Sequence, residues 1–134
     1  MRMGIIATLL LVLCTASVVC PQQKSRSRLW LNGTWEGTGF QIDTDSTWTM
    51  RLRVRGGGRY LIEYPSLKCG GRWRRLSLNS RRARFREHLT FGQGECVDRG
   101  QVVIERLNGR QIAYRFPHHG ATDVSASAIL NRKK

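Results

Sequence analysis

From about Trp30 to its end, the chain alternates apolar and polar residues with a period of two. Turn residues interrupt that alternation about every ten to twelve positions, which leaves room for short strands and for almost nothing else. The clearest stretch is Trp48 to Arg55, where Trp48, Met50, Leu52 and Val54 share one face and Thr49, Arg51, Arg53 and Arg55 the other. Gly56-Gly57-Gly58 then turns the chain into Arg59 to Tyr64, with Tyr60, Ile62 and Tyr64 on a common side. An earlier strand over Trp35 to Ile42 is weakened by Gly37 and Gly39, residues that mark a bend or a close approach of backbones. In Arg72 to Leu78, Trp73 and Leu76 cannot share a face in regular pleating, so a bulge is expected near Arg74 and Arg75. Arg84 to Phe91 sets Phe85, Glu87, Leu89 and Phe91 against Arg84, Arg86, His88 and Thr90. Gln101 to Leu107 and Gln111 to Phe116 flank Asn108-Gly109, a hairpin signal because both residues tolerate positive φ. Asp123 to Leu130 closes the series with Val124, Ala126, Ala128 and Leu130 inward.

About eight short strands joined by short turns predict an all-β fold, a small antiparallel up-and-down β-barrel whose closure removes exposed edges. An open two-sheet sandwich is the alternative. The expected interior includes Trp48, Met50, Leu52, Val54, Phe85, Leu89, Phe91, Val124 and Ala126.

Ahead of the strands, Met1-Arg2-Met3-Gly4 precedes the uncharged run Ile5 to Leu13 and the small residues Thr15, Ala16 and Ser17. That order is the one a secretory signal needs, and the apolar run is short of the roughly 20 residues that span a bilayer. Residues 1–20 therefore read as a signal, 21–29 as a flexible basic arm and 30–134 as one barrel domain in a secreted or periplasmic setting. A lipoprotein or an N-terminal anchor is the less favoured reading, and no later segment is apolar enough to cross a membrane. Of the four cysteines, Cys14 and Cys20 lie in or beside the signal, which leaves Cys69 and Cys96 as the natural disulfide pair.

Tyr64-Pro65-Ser66-Leu67-Lys68-Cys69-Gly70-Gly71, followed by Phe85-Arg86-Glu87, Gly92, Cys96 and Gly100, resembles the small extracytoplasmic β-domains of bacterial secreted proteins. Such domains also stand at the outer ends of some actinobacterial serine/threonine kinases. The resemblance runs from about Gly33 to Arg132 and implies an outward-facing sensing or binding module, bridged by Cys69 and Cys96 and without catalytic residues. Gly33-Thr34-Trp35 is in addition loosely similar to the first strand of lipocalin-type barrels.

Charge points to a partner class. With 23 Lys+Arg against 9 Asp+Glu the formal net charge is +14, one less once Arg2 leaves with the signal. Such a surface attracts an anionic polymer or an acidic protein surface, although an arginine excess also follows from a GC-rich genome. The candidate anion-binding rows are Arg51, Arg53 and Arg55 on one strand and Arg72, Arg74, Arg84 and Arg86 on a second hairpin. Aromatic residues do not interleave with them, so specific nucleic-acid recognition by base stacking is not expected. Glu87 falls on an apolar face, where a lone carboxylate needs a partner, and Arg75 on the neighbouring strand is the candidate. His88, His118 and His119 lack acidic or cysteine neighbours at ligand spacing, so no metal is expected. No cofactor motif and no nucleophile–base arrangement is present, and an enzyme is not expected. The rival function is inhibition of a secreted hydrolase through the rim loops Pro65 to Gly71 or Gly92 to Gly100. A third reading places a small anion inside the barrel between Glu87 and an arginine, although large inward residues would leave little space there.

Overall fold

The computed structural model describes residues 29–117 and 124–134, except for the side chain of Val124. The expected signal, all but the last residue of the arm, His118, His119 and the expected inward position of Val124 lie outside the described residues. A 3-10 turn at Leu29–Leu31 leads into eight strands: β1 (Gly33–Gln41), β2 (Ser46–Arg55), β3 (Arg59–Tyr64), β4 (Cys69–Leu78), β5 (Arg82–Phe91), β6 (Gln101–Arg106), β7 (Gln111–Pro117) and β8 (Val124–Arg132). Each pairs antiparallel with its neighbour in sequence, and β1 pairs with β8 from Trp35↔Arg132 to Gln41↔Ala126, which closes the barrel. Among the described residues no helix is long and apolar enough to cross a membrane.

Alternation decides which side chains enter the barrel. Trp48, Met50, Leu52 and Val54 of β2 are buried, as are Ala83, Phe85, Glu87 and Leu89 of β5. Gly57 and Gly58 carry φ of 82° and 78°, the left-handed pair that lets β2 reverse tightly into β3. The β6–β7 hairpin forms as expected but not through positive φ, which neither Asn108 nor Gly109 adopts. The Asn108 side chain shapes it instead, its Oδ1 accepting the Arg110 N–H at 2.8 Å.

Two corrections follow from bulges. Phe91 was expected inside and is 48% exposed. Gly70 pairs with Phe91 while Gly71 pairs with Leu89, so Thr90 is the extra residue and the parity of β5 flips after Leu89. The Phe91 ring instead covers Gly70, where a Cβ would lie 2.7 Å from its Cζ. The expected bulge in β4 falls between Arg75 and Ser77, slightly later than Arg74 and Arg75, with Leu76 as the extra residue. Leu76 stays exposed and Leu78 returns to pack on the core.

One end of the barrel is shut. Trp30 and Leu31 are buried beneath it, the Trp30 indole N–H donates to the Asn79 carbonyl at 2.8 Å, and Trp35 Nε1 donates to the Leu31 carbonyl at 2.8 Å. Arg132 lies across the Trp35 ring at 4.1 Å and donates from Nη1 to the Asn32 carbonyl, from Nη2 to the Trp30 carbonyl at 2.8 Å and from Nε to the Gly109 carbonyl at 3.1 Å. The other end is framed by the loops after β1, β3 and β5. There the Cys69–Cys96 disulfide, with Cα atoms 6.4 Å apart, ties the β5–β6 loop to the start of β4.

Candidate functional site

The arginine rows expected from the sequence fare differently. Arg51 and Arg53 do share the outer face of β2, but neighbouring strands bring carboxylates to them. Arg51 Nε meets Glu36 Oε1 of β1 at 2.6 Å, Arg53 pairs with Glu63 of β3, and Lys133 Nζ joins Glu36 at 3.1 Å. The hydrogen bonds from Arg51 and Lys133 hold the Glu36 carboxyl below its ordinary range. On this face three cations share two carboxylates, and of its row only Arg55 has no ion pair among the described residues.

The β4–β5 hairpin carries the free charge. Arg72 stands opposite His88 and Arg74 directly opposite Arg86. Like charges at directly opposed positions destabilise a sheet, and no carboxylate among the described residues pairs with Arg72, Arg74, Arg75, Arg84 or Arg86. Arg72, Arg74, Arg75, Arg86, His88 and Arg99 line an open groove of about 630 Å³ on this wall, whose lining also includes Trp73 and the buried Glu87. Arg84 sits beside it, its Nη2 donating to Gln101 Oε1 at 3.2 Å. Asp98 under the groove's rim is already engaged: its Oδ1 accepts the Leu89 and Arg99 N–H groups at 2.9 and 2.8 Å, bonds that hold its carboxyl below the ordinary range.

Arg75 does not meet Glu87. It is exposed and pairs across the sheet with Phe85, whereas Glu87 pairs with Trp73 and is 3% exposed. The partners of Glu87 are neutral: Oε2 accepts the Tyr64 hydroxyl at 2.5 Å and the Trp73 indole N–H at 2.7 Å. Desolvation raises the Glu87 carboxyl above its ordinary value, more than those two bonds lower it. Burial also pushes up the Tyr64 and Tyr114 phenols, and the nearby Glu87 charge adds to both shifts.

Above this cluster the large inward residues leave an open recess at the barrel mouth. A cavity of about 290 Å³ opens at the mouth, lined among others by Trp48, Tyr64, Glu87, Glu95, Tyr114 and Phe116. Gly39, directly opposite Trp48, makes room for the indole, because a Cβ there would overlap the ring. Trp48 then meets Tyr64 and Tyr114 edge to face, with centroids 5.4 and 5.7 Å away. Sequence reasoning put Glu87 on an apolar face and Tyr64 on one side of its strand but missed their meeting, and it missed Trp73 as the second partner, because strand parity says nothing about height within a barrel.

Fold and site together define the class: a disulfide-stapled, eight-stranded up-and-down β-barrel, shut at one end and open at the other. No protein-family model, curated protein or solved structure matches the chain.

Proposed function

We propose that this domain is an exported, non-enzymatic binding module that holds an anionic partner on the outer wall of β4 and β5. The observation that carries the reading is the cross-strand pair Arg74 and Arg86, flanked by Arg72 and Arg84, with no carboxylate partner among the described residues. An anion seated between the two guanidinium groups relieves their repulsion and accepts paired hydrogen bonds from a planar fork. Neighbouring same-face residues along a strand stand roughly 7 Å apart, a spacing suited to repeated phosphate, sulfate or carboxylate groups. Export fits the Cys69–Cys96 disulfide and the basic-apolar-small order of the first residues.

Heparin or teichoic-acid binding across a salt series tests the reading. Counterion release makes log affinity fall with log salt, with a slope that loses up to about one for each phosphate contact removed. Arg74→Glu with Arg86→Glu should weaken binding and flatten the slope, whereas Arg51→Gln with Arg53→Gln should do neither, because those charges are already matched by Glu36 and Glu63. An unchanged slope in the β4–β5 double variant would falsify the outer-wall reading.

The rival reading, inhibition of a hydrolase through the rim, draws on the β5–β6 loop. The loop is stapled by Cys96 and presents Val97 at 66% exposure. Salt-resistant capture of a hydrolase, abolished by Val97→Asp, would favour it.

A further inference from the structure

The mouth of the barrel is the chemical opposite of its wall. In a chain of net charge +14, the described residues lining the cavity include two carboxylates, Glu87 and Glu95, and neither lysine nor arginine. Glu87 stands at the inner end and receives both of its hydrogen bonds on Oε2, while Oε1 has no partner among the described residues. Trp48, Tyr64, Tyr114 and Phe116 supply aromatic surface around it. At about 290 Å³ the space lies at the lower end of the roughly 300–1,000 Å³ typical of small-molecule sites.

We propose that this mouth binds a small organic ammonium ion carrying an aromatic or apolar body, its nitrogen directed at Glu87 and its body against Trp48 and Phe116. An anion in this cavity would meet the Glu87 carboxylate with no arginine to balance it. A neutral ligand would leave the carboxylate without a counter-charge. A cation supplies what burial withholds: charge-assisted hydrogen bonds to a carboxylate, reinforced by the attraction of aromatic faces for positive charge. Glu95 at the rim adds a second negative charge on the entry side. The described residues lining the mouth share only Glu87 with those lining the arginine groove of the outer wall.

The test uses the full chain and three probes with one body: phenethylamine, 2-phenylethanol and phenylacetate. Calorimetry at neutral pH should show saturable 1:1 binding of the amine, at least tenfold tighter than the alcohol, with the acid weaker still. The Trp48 indole resonance should shift on adding the amine. Glu87→Gln, whose amide oxygen can still accept from Tyr64 and Trp73, should cost the amine tenfold or more and leave the alcohol unchanged. Equal binding of all three probes, or no binding of the amine, overturns the proposal, as does an unaltered amine affinity in a folded Glu87→Gln protein. Should that variant not fold, the ranking of the three probes on the native chain decides alone.

Discussion

Arg132 is the residue on which closure of the barrel's shut end should depend most. Two of its hydrogen bonds, to the carbonyls of Asn32 and Trp30, are part-buried, and its third, to Gly109, is exposed. Arg132→Met keeps the stem packed on Trp35 and removes the fork. With about 1 kcal/mol for each part-buried bond, little for the exposed one, and about 0.5–1 kcal/mol for the guanidinium over the indole, the loss comes to about 3 kcal/mol. In a domain of about a hundred residues that lowers the melting temperature by roughly 12–24 °C. Arg132→Lys should recover only a minor part, because a single ammonium cannot reproduce a planar fork that reaches three carbonyls at once. Urea unfolding of the three proteins measures the effect. A loss below about 1 kcal/mol in Arg132→Met, or full recovery in Arg132→Lys, would refute the argument that the fork closes this end.

Glu87 makes stability depend on pH. Its carboxyl is raised above the ordinary value of 4.5, so the native state binds its proton more tightly than the unfolded chain does. The associated stability is complete below that ordinary value and is lost as pH rises through the raised one. The difference in unfolding free energy between the native chain and Glu87→Gln should therefore shift in the variant's favour from pH 4.5 upward. Glu36 and Asp98, both lowered, contribute stability above their ordinary values that is lost in acid; Glu36 cancels in that difference, whereas the charge of Asp98 helps to raise Glu87 and belongs to the effect measured. A pH-independent difference would show that Glu87 is not desolvated. The Cys69–Cys96 bridge spans a sequence separation of 27, for which loop-closure entropy gives about 3.5 kcal/mol. Cys69→Ser with Cys96→Ser should lose about that much in chemical denaturation, and a loss under about 1 kcal/mol would contradict the entropic account.

What the sequence by itself determined is what one strand can know of itself. The alternation of Trp48, Met50, Leu52 and Val54 placed a buried face opposite Arg51, Arg53 and Arg55, since the pleat sends successive side chains to opposite sides whatever lies next to them. Gly37 and Gly39 announced close approaches, and these are realised against the Ile129 carbonyl and the Trp48 ring. The cysteine pair was legible because only two cysteines lie beyond the first twenty residues. Everything that depends on pairing between strands was decided by the tertiary structure. Register across β1, β2 and β3 brought Glu36 and Glu63 to Arg51 and Arg53 and so paired charges that the sequence had left free. A single extra residue at Thr90 turned Phe91 outward; unlike the β4 bulge, which the slipped phase of Trp73 and Leu76 announced, this one falls at the strand's last residues, where no later residue records the change of phase. Glu87 met Tyr64 and Trp73, with Tyr114 close by, rather than Arg75, because closing the sheet sets β3, β4, β5 and β7 around one lumen. There height along the barrel, not separation in sequence, selects a carboxylate's neighbours.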